Sequence, residues 1–311
     1  MLEGNVHPYA RAQFDNGAVA DAFPMKRMLL VLSRSEEQEK DLRQLLDDQQ
    51  TADSPRFRQW LTPEQFGKMF GPADSDLQTV TSWLGSQGFH VDRVSNAKNI
   101  VEFSGNAKQV RQAFHTQIHQ YTVAGKVHFA NPTNPEIPAA LAPVVKGIAS
   151  LNNFDRKANA HKFGIYRRDL STGEVTPEFT IPTSSGSAYA IGPADFATIY
   201  NTQPLQQANI TGTGQTIAVL GVSNVNLQDV TDFRNMFGLG AGNTSVEIDG
   251  DDPGIVQGAE FEALLDLEWA NAAAPGASVV LVASAGTESS GALELAALHV
   301  IEKNTANVMS V

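Results

Sequence analysis

The 311 residues contain no cysteine, which removes disulfide staples, thiolate zinc sites, iron–sulfur clusters and cysteine nucleophiles at once, and leaves the redox compartment open. No apolar run approaches the roughly 20 residues of a membrane-spanning helix, so no membrane partner is expected. The opening Met1-Leu2-Glu3-Gly4-Asn5 has neither a basic nor an apolar segment and does not read as a signal peptide. Cations are scarce at one end. Residues 1–154 hold 15 Lys and Arg against 16 Asp and Glu, and residues 155–187 hold 5 against 4. Residues 188–311 hold 2 against 14, so the formal charge of −12 sits there, opposed only by Arg234 and Lys303. Such a segment repels phosphates, and no nucleic-acid partner is expected. Its self-repulsion falls as carboxylates protonate, which suits work in acid; a solubilising surface explains the same bias. Six of the seven histidines lie before residue 162.

What remains has the composition of a globular chain, with a length suited to about two domains of roughly 150 residues. Residues 1–154 alternate short strands with amphipathic helices. Met28–Leu32 reads as a buried strand. Ser35 with Glu36, Glu37 and Gln38 opens a helix to about Gln50, and Thr62-Pro63-Glu64-Gln65 opens another through a capping box with Pro in the first turn. Leu77, Val80, Thr81 and Leu84 recur at helical spacing between Asp74 and Gln87. Strands are expected at His90–Val94 and Asn99–Phe103, a helix at Asn106–Phe114, and a hairpin from Gln117 to Phe129 about Ala124-Gly125. This order predicts an α+β domain with an antiparallel sheet.

From Asp155 to Ser187 no apolar periodicity survives, and Lys157, Lys162, Arg167, Arg168 and Thr183-Ser184-Ser185-Gly186-Ser187 read as an exposed, cleavable linker. Beyond it, helices at Pro193–Tyr200, Leu227–Phe237, Ala259–Ala273 and Gly291–Glu302 are interleaved with strands at Thr216–Leu220, Ser278–Ala283 and Asn307–Val311. That alternation predicts an α/β domain with a parallel sheet. The last strand leaves the far half of the sheet uncovered, which reads as a truncated domain.

The chemistry is concentrated in the helix after Gly258. Glu262 and Asp266 stand four apart, so both carboxylates share one helical face, along a stripe continued by Trp269, Ala270 and Ala273. Two acids in such a place cannot both ionise at low cost, and one keeps its proton to higher pH, as a general base or acid requires. On spacing alone an exposed acidic pair near a helix N-terminus is the simpler reading.

Glu262-x-x-x-Asp266, Glu268 and the ending Ala272-x-Ala274-Pro275-Gly276-Ala277 resemble the Glu/Asp helix of the sedolisin family, the kumamolisin-like serine-carboxyl peptidases. Thr213-Gly-Gln-Thr-Ile-Ala-Val-Leu220 resembles the first strand of that family's catalytic domain, and Tyr189 to Asn201 its mature N-terminus. Met25 to Phe154, with Trp60-Leu-Thr-Pro-Glu-Gln-Phe66 and Phe70-Gly71-Pro72, resembles its activation prodomain. The resemblance implies a prodomain over 1–154, a cleavable linker over 155–187 and the start of a subtilisin-like catalytic domain over 188–311. The implied whole is a secreted, acid-acting endopeptidase zymogen with a Ser-Glu-Asp triad. Glu262 would be the general base, Asp266 would share its proton, protein or peptide would be the substrate, and the prodomain would dock on its own catalytic domain. The family's Gly-Thr-Ser and Gly-Asp-Ser-Gly segments and its calcium loop are not among these residues. The chain alone is therefore expected to be inactive, with no cofactor. Gly221 stands where these enzymes can carry a further glutamate. A prodomain-type inhibitor or chaperone without enzymatic activity is the alternative from another class.

Two other patterns carry less. Asp249-Gly-Asp251-Asp-Pro253-Gly254 mimics a calcium loop but places Pro253 at a ligand position, so a polar turn is expected. His115 and His119 would share a face only on one continuous helix, where the chain is expected to turn into strand; metal binding or pH sensing are the functional alternatives.

Overall fold

Three capping boxes fix helix starts in the first 110 residues. The side chains of Ser35, Thr62 and Asn106 each accept from the backbone N–H three residues on, while Gln38, Gln65 and Gln109 reach back to the cap N–H. Each box satisfies two donors that a helix end otherwise leaves unpaired. The computed structural model describes residues 1–154, 179–183 and 186–311.

In chain order the first part contains β1 (Asp15–Ala18), β2 (Pro24–Leu32), α1 (Glu36–Gln50), α2 (Pro63–Phe70), α3 (Asp74–Ser86), β3 (His90–Val94), β4 (Ile100–Asn106), α4 (Ala107–Phe114), β5 (His119–Val123), β6 (Lys126–Ala130) and β7 (Val145–Ile148). The second part contains β8 (Phe179–Thr183), β9 (Gly186–Ala190), α5 (Pro193–Ile199), α6 (Gln203–Gln207), β10 (Thr216–Gly221), α7 (Leu227–Met236), β11 (Asn243–Asp249), α8 (Glu260–Ala273), β12 (Ser278–Ser284), α9 (Ala292–Lys303) and β13 (Val308–Ser310). The chain forms two compact units, Met1–Asp155 with Gly286–Asn304, and Arg156–Ala285 with Thr305–Val311.

The first unit is built on an antiparallel sheet of order β3-β4-β2-β7, with a smaller sheet β1-β5-β6. Strand alternation gives the larger sheet two different faces. Met28, Leu30, Val101 and Phe103 point into a core shared with Leu77, Val80 and Leu84 of α3 and Val110 and Phe114 of α4. Leu29 and Ile100 point the other way and pack against Leu295 and Leu298 of α9. The register of β2 on β4 shifts between Met25 and Met28, and Arg27 there takes a left-handed φ of 54°. This irregularity brings the Arg27 Nε within 2.6 Å of the Glu102 carboxylate, which also receives the Arg93 Nε at 2.8 Å and is only 5% exposed.

The second unit contains a parallel sheet of order β11-β12-β10-β13 and the hairpin β8–β9. Helices and an antiparallel sheet before a parallel one agree with the reading from sequence. Strands β1, β7 and β11 were not anticipated, nor was the hairpin β8–β9, whose residues 179–183 and 186–187 fall in the stretch read as an exposed linker and form strand by pairing with each other. Of the stretch read as a cleavable linker, 155–178 and 184–185 lie outside the described residues. Arg234 of α7 is 4% exposed and donates to the carbonyls of Leu239 (3.0 Å), Gly240 (3.0 Å) and Pro275 (2.9 Å) and to the Asn271 Oδ1 (2.7 Å). One guanidinium thus ties the ends of α7 and α8 together, and burial lowers its pKa. Gly242 lies against that guanidinium with no room for a Cβ.

Three outcomes follow. Glu102→Ala leaves two partly buried guanidinium groups without their carboxylate and lowers the unfolding free energy by about 3 kcal/mol, read from urea denaturation. Gly242→Ala pushes on the Arg234 guanidinium and costs about 1–3 kcal/mol. Gly147→Ala, whose Cβ meets nothing within 4 Å, changes stability by less than about 0.5 kcal/mol in the same assay.

Candidate active site

The loop 250–259 leaves the carboxyl end of β11 and enters α8, so the first turn of α8 lies at the carboxyl edge of the parallel strands, where α/β sheets place ligands. Glu262 sits in that turn and Asp266 one turn further on, on the same stripe; both are half-buried. The next residue on the stripe, Trp269, packs its ring against Phe196 of α5 with centroids 5.3 Å apart. The face is therefore partly covered rather than an open acidic surface.

Burial first, and the negative charge of Glu262 second, hold the Asp266 carboxyl above the ordinary aspartate range. Glu268 lies towards α7. Its carboxyl is pushed up to about 7, chiefly by burial and then by the charge of Asp229 on α7. Among the described residues no Lys or Arg pairs with Glu262, Asp266 or Glu268. Arg234 is committed to carbonyl and amide oxygens, and Lys303, the other cation of 188–311, belongs to α9 in the first unit. Without a counter-ion, burial and like charge leave Asp266 and Glu268 holding their protons to higher pH than free carboxyls do. A site of this kind can take a proton from a nearby hydroxyl and return it.

The sequence pattern contained Glu268 but gave it no role, and nothing in the sequence around Asp229 pointed to α8. The pairing arises only from the packing of α7 on α8. At Gly221 a Cβ would lie 2.8 Å from the Leu281 Cδ1 and 3.2 Å from the Ser223 carbonyl, so a glutamate there would require the strand end to shift. Ser284, Ser289 and Ser290 use their hydroxyls on backbone carbonyls, those of Asp249 (3.0 Å), Lys26 (2.5 Å) and Arg27 (2.6 Å).

In the calcium-like loop, Asp252 accepts from the Gly254 N–H at 2.8 Å and from the Asn224 Nδ2 at 3.3 Å, as a polar turn does. Among the described residues no three His, Asp or Glu side chains converge as a metal site. His115 ends α4 in a left-handed conformation, whereas His119 opens β5 and meets Asp15 at 2.8 Å. The two histidines therefore stand on different elements.

Residues 15–154 match the family model described as "Pro-kumamolisin, activation domain". The chain is 25% identical over 297 residues to kumamolisin of Bacillus sp. (strain MN-32), covering 93% of this chain and 50% of that protein. It is 29% identical over 197 residues to xanthomonalisin of Xanthomonas sp. (strain T-22), covering 63% of this chain and 23% of the relative. Over 81 residues it is 32% identical to tripeptidyl-peptidase sed1 of Aspergillus fumigatus, covering 25% of this chain and 13% of that protein. The chain thus spans half or less of the length of each of these curated relatives. Residues 15–154 therefore belong to the pro-kumamolisin activation-domain family, and similarity to kumamolisin continues beyond them through the parallel sheet.

Proposed function

We propose that this chain is the N-terminal portion of a secreted serine-carboxyl endopeptidase zymogen that works in acid, with a catalytic domain of subtilisin-like architecture. The observation that carries the reading is the pair on α8: Asp266 is held above its ordinary range by burial and by Glu262, one turn away and with no cation beside it. Glu262 takes the proton of a serine hydroxyl as that oxygen attacks the scissile carbonyl, and Asp266 stabilises the shared proton. When the amine leaves, the same proton is returned to it, and water repeats the sequence on the acyl-enzyme. The 311 residues hold neither a Gly-Thr-Ser nor a Gly-Asp-Ser-Gly segment, so the nucleophile, the oxyanion donors and the family's calcium are assigned to polypeptide outside them. By itself the chain does not hydrolyse peptides.

Restraint by the prodomain is supported by the segment 286–304, which in sequence lies between two strands of the parallel sheet. It covers the second face of the activation-domain sheet. Thr287 and Ser289 donate to the Lys26 carbonyl and Ser290 to that of Arg27, all at the irregularity in β2. Glu302 accepts the Asn96 N–H at 2.7 Å. This is the contact by which the activation domain engages the start of its own catalytic domain.

Two measurements test the reading. In a gene product that carries this chain together with both serine segments, Glu262→Gln lowers the rate of acid self-processing by at least about 10³-fold, followed by the appearance of the shortened form. Unchanged processing removes Glu262 as the base. The second concerns stability. A raised carboxyl pKa means that the folded state binds more protons than the unfolded one between about pH 4.5 and 7, so unfolding free energy rises as pH falls through that window. The Glu268 contribution is about 2 kcal/mol after allowance for its partial exposure, and Glu268→Gln flattens the slope in urea titrations at pH 7 and pH 5.

A further inference from the structure

The end of the activation domain is held by aromatic rings. Phe154 is stacked on the His7 ring on one side, with centroids 4.1 Å apart and planes within 8°, and on the His128 ring at 4.4 Å and 17°. The backbone beside it is pinned to β6. The Phe129 N–H donates to the Asn153 Oδ1 at 2.7 Å, the Asn153 N–H donates to the Phe129 carbonyl at 3.2 Å, and the His128 Nδ1 lies 3.3 Å from the Asn153 carbonyl. His7 lies outside the residues matched to the activation-domain model, on a segment preceding β1.

The charged and titratable surroundings are few. Across the small sheet Asp15 of β1, Tyr121 of β5 and His128 of β6 are in register, and Asp15 is paired with His119 of β5. Tyr121 is fully buried with its hydroxyl unpartnered, and burial, aided by the charge of Asp15, raises it to about 12, so it adds no charge at working pH. Tyr9 packs on His7 and Phe154; Arg11 bonds the Pro8 carbonyl, and exposed Lys126 is two residues from His128 on β6. Among the described residues of this group the carboxylate is Asp15, and it is engaged by His119.

We propose that the His7–Phe154–His128 stack is an acid-released clasp that holds residues 152–154, the chain entering the processing segment, against β6. One imidazolium sits well on a phenyl face; two on opposite faces of the same ring repel each other. Protonation also removes the His7 Nδ1 as acceptor of the Tyr9 N–H, 3.3 Å away. Burial first, and then the charge of His128, already lower the His7 pKa. A histidine lowered on folding gives stability that is complete above the ordinary value of about 6.5 and declines as pH falls below it. The physiological reading, easier access to the processing segment in acid, rests on the zymogen function proposed above; the clasp itself does not.

Hydrogen exchange of the intact chain, corrected for intrinsic rates, tests the clasp without any peptidase activity. Protection of the Phe129 and Asn153 amides is expected to fall at least about tenfold between pH 7 and pH 5, while amides paired between β2 and β4 keep theirs. In His7→Phe, which keeps an aromatic ring and removes the titratable group, protection is expected to persist at pH 5. Retention of protection in the wild type at pH 5, equal loss in His7→Phe, or simultaneous loss across β2 and β4 each overturns the clasp. If the clasp opens as described while the Glu262→Gln proenzyme still processes itself, the base assignment fails and the clasp stands.

Discussion

The shortage of cations beside buried carboxylates governs the second unit. Fourteen acids share residues 188–311 with Arg234 and Lys303. Arg234 is consumed by three carbonyls and the Asn271 amide oxygen, an arrangement that locks α7 to α8 but neutralises no acid. What is left to balance charge on α8 is the proton. Desolvation and like-charge proximity therefore act in the same direction on Asp266 and Glu268, and both stay protonated to higher pH than free carboxyls.

The two units respond to protons with opposite signs. Raised carboxyl pKa values on α8 favour the folded state as pH falls, whereas the lowered His7 disfavours its folded environment over the same direction. The larger antiparallel sheet provides the frame for the first unit. One face of β2 is committed to the intradomain core and the other, through Leu29 and the carbonyls of Lys26 and Arg27, to the 286–304 segment.

Local chemistry made much of the fold readable. Caps at Ser35, Thr62 and Asn106 are satisfied within three residues, so no distant partner is needed to see them. Long helices and strands with strong apolar runs were legible for the same reason. Five strands escaped, two of them forming the β8–β9 hairpin at the end of the stretch read as a linker. Asp15–Ala18 and Val145–Ile148 have four residues each, with a glycine inside, and Asn243–Asp249 is a largely polar edge strand; each becomes a strand only by pairing with a partner already in place. The Glu262 and Asp266 pair was visible as spacing, whereas Glu268 with Asp229 was not, because α7 and α8 are separated in sequence by a strand and two loops.

The amino-acid order by itself determined helix starts, the alternation that separates an antiparallel from a parallel sheet, the absence of counter-ions and the shared face of two acids. These depend on neighbours a few residues apart and on totals. Only the tertiary structure decided how much water each acid loses, which oxygens Arg234 receives, which face of β2 is covered by α9, and that Phe154 lies between His7 and His128. Desolvation and ring stacking depend on distances between groups up to 263 positions apart in sequence, such as Arg27 and Ser290, and no local pattern encodes those distances.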